Sequence, residues 1–256
     1  TTFTGLLLAD PETDTIWEAP MLQVLQVVYN RDHVIVAFPD SQTVSHEGAR
    51  YEIASDGLRA SLVRDGALQV RANAEAEVLN ISGEAPLALS DLTAAISRAD
   101  AEANRYRIAV NAEGIATGAS ASSGTQDGLR LDTTLTLNAP LRLEDYAEAR
   151  PRRIEIDRAE LDMNALKMAA TGEVDVLDSG HLDGQLSLRV QNLSEALAAE
   201  RDAGRLPPEV LSIVEGAAQL LSGLSGREDS IDVTFEFRDR KTWLGFLPLG
   251  EAPRLR

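Results

Sequence analysis

Alternation of apolar and polar residues recurs along this chain, and no other feature constrains its fold as much. A β-strand turns successive side chains to opposite faces, so period two marks a strand with one face covered. The clearest run is 129–138. Leu129, Leu131, Leu135 and Leu137 fall on one face with Thr133; Arg130, Asp132, Thr134, Thr136 and Asn138 fall on the other. Residues 231–238 repeat the pattern, with Ile231, Val233, Phe235 and Phe237 against Asp232, Thr234, Glu236 and Arg238. A third run, 105–111, puts Tyr106, Ile108 and Val110 together. Weaker alternation passes through Ile154 and Ile156, Leu166 and Met168, Val174 and Val176, and Leu186, Leu188 and Val190.

Short polar segments separate these runs. Asp10-Pro11-Glu12-Thr13, Asn30-Arg31-Asp32, Ser55-Asp56-Gly57, Arg64-Asp65-Gly66 and Asp178-Ser179-Gly180 read as tight turns, with Gly66 and Gly180 free to take positive φ. Strands joined by short turns imply an antiparallel meander rather than βαβ units. The stretch 154–192 resembles a loose internal repeat. The small polar segment 114–128 reads as a mobile loop.

Three helices are expected among the strands. One covers 91–100, with Ser90 as N-cap and Leu92, Ile96 and Ala99 on one face. A second covers 195–203, between Ser194 and Gly204. The third covers 208–223 and enters through Pro207-Pro208; its stripe of Val210, Ile213, Val214, Ala217, Leu220 and Leu221 suits packing on a sheet. The expected fold is therefore mainly β, of the α+β class. It is a long curved antiparallel sheet with about three helices, one of them on its apolar face, forming a single domain over residues 1–256.

Composition sets limits on function. Of 256 residues, 41 are Asp or Glu and 24 Lys or Arg, giving a net charge of −17. So acidic a surface repels phosphate backbones and argues against nucleic-acid binding. With no cysteine, disulfides, thiol catalysis and thiolate metal sites are excluded. No apolar run approaches the roughly 18 residues of a membrane helix. Because the chain opens on Thr1-Thr2-Phe3-Thr4-Gly5-Leu6-Leu7-Leu8, which reads as the middle of a strand, it is expected to continue upstream.

Candidate chemistry is sparse. His33, His46 and His181 share no local ligand spacing. Asp175, Asp178 and Asp183 gather around one turn and form a weak candidate for calcium, but the spacing is not that of an EF-hand loop. There is no Gly-x-Ser-x-Gly elbow, and Ser120, Ser122 and Ser123 lie in the polar segment, a poor place to organise a triad. No phosphate-binding glycine motif occurs. Neither a catalytic residue nor a cofactor is assigned.

The stretches Leu8-Ala9-Asp10-Pro11-Glu12-Thr13, Ile16-Trp17-Glu18-Ala19-Pro20, residues 29–42 from Tyr29 to Gln42, Leu58-Arg59-Ala60-Ser61-Leu62, and the closing Leu247-Pro248-Leu249-Gly250 with Ala252-Pro253 are distinctive. Together they resemble the alphaproteobacterial domain of unknown function 2125 family. The resemblance implies one N-terminal hydrophobic anchor, not contained in this chain, followed by a domain on the periplasmic side of the inner membrane. It brings no catalytic residues. The strand-rich middle is also similar in texture to AsmA-like envelope proteins, whose curved sheets form grooves for lipid.

The function expected on these grounds is non-enzymatic binding or transfer of a hydrophobic ligand, most simply a lipid. Leu129, Leu131, Leu135, Leu137, Ile231, Val233, Phe235 and Phe237 would line its groove. A helix of about 16 residues spans only about 24 Å and would leave part of a long sheet face open. The alternatives are an envelope scaffold that binds another protein, as by pairing at a sheet edge, and an unrecognised hydrolase.

Overall fold

The structure, a computed structural model, describes every residue except 12, 84–85, 101–103, 118–126, 143–148, 164–165, 194–229 and 256. Seventeen strands and no helical element occur among the described residues. The α+β expectation is thus corrected to nearly all β. Residues 91–100 belong to a strand, β8 (Leu87–Asp100), not a helix. The expected helices 195–203 and 208–223 lie outside the described residues. By its contacts the chain divides into two compact units: Thr1–Leu129 with Ala139–Ala149, and Arg130–Asn138 with Arg150–Arg256.

The first unit is an antiparallel meander of long passages. These are β1 (Thr2–Asp10), β2 (Thr15–Val27), β3 (Asn30–Ala37) running on into β4 (Ser41–His46), β5 (Ala49–Asp56) running on into β6 (Arg59–Asp65), β7 (Leu68–Ser82), β8, and β9 (Arg105–Ala112) running on into β10 (Gly114–Thr117). The first half of β2 pairs with β4 and its second half with β3; β7 likewise pairs with β6 and then β5, and β8 with β10 and then β9. The mobile-loop expectation is corrected at its start, where 114–117 form β10; residues 118–126 lie outside the described set.

The interruptions fall at one level across the meander: Phe38–Asp40, Gly57–Leu58, Asp91 with φ 48°, and Glu113. Backbone bonds cross them, Ser55 N–H to the Asp40 carbonyl at 2.9 Å, Phe38 N–H to Leu58 at 3.1 Å, and Glu113 N–H to Ser90 at 3.0 Å. An extra residue bends a strand and reverses which face its side chains take. In β7 the covered side passes from Leu79 and Ile81 to Ala72, Ala74 and Ala76; in β8 it passes from Leu87 and Leu89 to Leu92, Ala94 and Ile96. Small residues fill the bend: Ala19, Pro39, Ser55, Ala76 and Ala112 are buried there.

This reversal explains the mistaken helix. Leu92 and Ile96 are four apart, a spacing common to a helix face and a strand face, and the slip at Asp91 hides the alternation that begins at Leu87. The β2–β3 turn also differs from expectation, lying at Val28-Tyr29, with Asn30-Arg31-Asp32 opening β3. The Asn30 side chain still bonds the Asp32 N–H at 3.1 Å, the local bond that makes such a triplet look like a turn.

The second unit contains the later part of β11 (Gly128–Leu137), then β12 (Pro151–Met163), β13 (Leu166–Val176), β14 (Leu182–Gln191), β15 (Ser230–Arg238), β16 (Lys241–Leu244) and β17 (Leu247–Glu251). From β12 to β17 each strand pairs antiparallel with the next. The Thr133 hydroxyl donates to the Glu155 carbonyl at 2.8 Å, and Asn138 N–H to the Arg150 carbonyl at 3.0 Å, tying β11 to β12. The β13–β14 turn is the expected Asp178-Ser179-Gly180, with Gly180 at φ 83°.

Candidate ligand-binding face

Directly opposed residues of an antiparallel pair share a face, so the register assigns each row of the first unit. One row reads Val24, Val36, Ala60, Ala74, Ala94 and Val110 across β2, β3, β6, β7, β8 and β9. The next row on the same face, which meets the exposed Gln26 of β2 at one end, continues over five strands as Val34, Leu62, Ala72, Ile96 and Ile108. Neither row contains an ionisable side chain. Every residue in them is half-buried and none is sealed. On the opposite face, the row between them is the mixed Leu25, Ile35, Ser61, Asn73, Ala95 and Ala109. The row on the far side of the first is Gln23, Ala37, Arg59, Glu75, Thr93 and Asn111, where Arg59 pairs with Glu75.

Alanine at the centre makes the apolar face shallow, with valine, leucine and isoleucine at its flanks. Six strands about 4.8 Å apart make it about 24 Å across. Beyond the bend lies a different surface. There Trp17 packs on Phe38 with ring centroids 6.1 Å apart and donates its indole N–H to the buried Gln42 carbonyl at 2.7 Å.

The second unit holds two buried apolar clusters. Val174, Phe237 and Ala252 form one buried cluster with Ile154, Leu182, Leu186 and Phe235 against it. Val190, Ile231 and Val233 form another, with Leu166, Met168, Leu188 and Leu244 around it. Of the residues expected to line a groove, Ile231, Val233, Phe237 and Leu137 are thus buried, whereas Leu129, Leu131, Leu135 and Phe235 are half-buried. The structure unites Ile231, Val233, Phe235 and Phe237 on one face of β15. The stripe Val210, Ile213, Val214, Ala217, Leu220 and Leu221 lies outside the described residues. The alanine-floored face was not foreseen, although Ala72, Ala74 and Ala76 alternate with Arg71, Asn73, Glu75 and Glu77 plainly enough.

The polar face of the second unit is laced with ion pairs. Arg153 bonds Asp175 at 3.1 Å and also pairs with Glu173, and Arg189 meets Asp232 at 2.8 Å. Desolvation alone would lower the Arg153 pKa; the hydrogen bond to Asp175 and the charges of Glu173 and Asp175 outweigh it and raise it. Asp175 stands opposite Asp183, and Asp178 is engaged by Arg152. Among the described residues no group of three or more His, Cys, Asp or Glu is arranged to hold a metal. The histidines are scattered: His33 bonds Ser61 at 2.9 Å, His46 bonds Thr15 at 3.0 Å, and the buried His181 bonds Ser179 at 3.0 Å. No helix among the described residues is long and apolar enough to cross a membrane.

The family described as "Uncharacterized protein conserved in bacteria (DUF2125)" matches residues 1–253. The chain belongs to this family. No curated protein and no solved structure gave a match. In this DUF2125 chain, the distinctive stretch from Tyr29 to Gln42 forms the end of the β2–β3 turn, all of β3, the bend and the start of β4. It therefore contains both an exposed tip and the buried Gln42 that anchors Trp17.

Proposed function

We propose that this protein binds the hydrocarbon chain of a lipid along the alanine-floored face of its first unit, as a non-enzymatic component of the cell envelope. The observation that carries the reading is the pair of rows running from Val24 to Val110 across six strands and from Val34 to Ile108 across five, aliphatic and only half-buried. An aliphatic ligand gains about 0.8 kcal/mol for each methylene withdrawn from water. It loses nothing to unsatisfied donors or acceptors on so apolar a floor. One leaflet of a bilayer holds about 15 Å of hydrocarbon, half of a core of about 30 Å, so the face has room for an acyl chain. The proposed setting is the periplasmic side of the inner membrane, which the family resemblance implies.

Displacement of a fluorescent fatty acid tests this. The wild type binds, and Ala74→Asp, which sets a carboxylate in mid-floor, keeps its melting temperature within a few degrees and loses binding. Absence of binding by the wild type, or a folded Ala74→Asp that binds as well as wild type, sinks the reading.

A second reading, docking of another protein along a strand, has one observation in its favour. The strand β1 opens the meander and is exposed at every residue but Leu6, with Leu7 60% and Leu8 53% exposed. Long apolar exposed strands are sites for pairing with another chain.

A further inference from the structure

The β2–β3 turn has the wrong residues for a turn. Tight hairpin turns favour Asn, Gly and Asp, which tolerate the required backbone and accept solvent. Here Val28 and Tyr29 occupy it, 96% and 91% exposed. Neither contributes to packing, so local stability does not account for them.

The surroundings of this tip invert the charge of the protein. The chain as a whole carries −17. At the same end of the meander lie Arg31 beside the tip, Arg64 near the end of β6 and Arg105 opening β9. The row His33, Val63, Arg71, Ser97 and Arg107 crosses the sheet just behind, with Arg71 and Arg107 exposed on one face. The acids described here are Asp32, held 3.5 Å from Arg64, Asp65 and Asp100. The other end of the unit is acidic, with Asp10 closing β1 and Asp14 and Glu47 in the turns.

We propose that this end of the first unit docks on a lipid bilayer bearing anionic headgroups. Val28 enters the interface, and Tyr29 lies at headgroup depth, where its ring meets hydrocarbon and its hydroxyl meets water. The arginines behind them bond phosphate, each adding about fivefold to the binding constant at low salt. Flat adsorption of so acidic a protein is repelled, which confines contact of the first unit to the end where its described cations gather. A protein partner is disfavoured because the tip offers two apolar side chains and no surrounding apolar surface, far short of a stable protein interface. The proposal does not depend on any ligand in the alanine-floored face.

Flotation with phosphatidylcholine vesicles, with and without phosphatidylglycerol, tests it. The wild type is expected to float only with the anionic vesicles, and added salt should release it. Val28→Ser combined with Tyr29→Ser, both at exposed turn positions, should keep the melting temperature and weaken binding about tenfold or more. Arg71→Gln with Arg107→Gln should weaken it by about thirtyfold. Ala74→Asp should float like wild type, which separates docking from ligand binding. Phe246→Ser, altering an equally exposed aromatic (93%) in the second unit, should leave flotation unchanged. A wild type that stays off anionic vesicles overturns the proposal. So does binding indifferent to the tip substitutions, or binding lost equally with Phe246→Ser.

Discussion

Single residues in this protein carry distinct burdens, and Gly184 shows how narrow one can be. It sits in β14 at φ +140°, a region L side chains rarely adopt, and an added Cβ would press on the Glu173 carbonyl and lie 2.9 Å from the Val174 Cα. Gly184→Ala therefore meets both backbone strain and a clash on the paired strand. It should cost about 1–3 kcal/mol, read as a lower urea midpoint at unchanged slope. An unchanged midpoint would mean that β13 and β14 separate easily. Gln42 is subtler: it is buried and polar, and its amide oxygen accepts the Trp17 indole proton. Nothing in the sequence around Thr43 marks it, because the bond joins strands 25 residues apart.

Elements were legible where alternation ran unbroken. The strands containing 129–137, 231–238 and 105–111 stand where their alternation puts them, and so do the turns at Gly66 and Gly180. Legibility failed at the bend. A bulge at Asp91 reverses the phase of β8 and the register shifts again between Arg98 and Asp100, so that Leu92, Ile96 and Ala99, all beyond the first break, fall at spacings that suit a helix. The alanine face was missed for a related reason. Alanine is a weak hydrophobic signal, and only the register shows that Ala60, Ala74 and Ala94 line up across three strands. The two units also answer differently to a buried charge. Val233 is 7% exposed within the β14–β15 cluster. Val233→Asp should cost several kcal/mol, a large part of a typical 5–15 kcal/mol, and should unfold the protein or abolish expression. Ala74→Asp should be tolerated. Equal tolerance of both substitutions in a thermal melt would show that the second unit is as open as the first.

At the scale of the whole molecule, what distinguishes this chain is how its long antiparallel passages use apolar surface. The second unit packs its leucine, valine and phenylalanine faces into clusters, while the first leaves a broad aliphatic floor half-covered. Apolar surface held near water destabilises unless something occupies it, so occupancy should be visible as stability. A ligand that binds only the folded state stabilises by RT ln(1 + [L]/Kd), about 2.7 kcal/mol at a hundredfold excess over Kd. For a protein of this size each kcal/mol raises Tm by about 2–4 °C, so a saturating long-chain fatty acid should raise Tm by about 5–10 °C. Each methylene adds to the buried area, so the rise should grow with chain length until the ligand outruns the floor, about 24 Å across. A chelator, by contrast, should leave Tm where it was, since no described group of acids and histidines is arranged as a metal site. The chain-length dependence decides between specific seating and general detergency. A detergent-like effect lowers Tm as chains lengthen, whereas a seated chain raises it, and Ala74→Asp should abolish the rise without lowering the unliganded Tm by more than a few degrees.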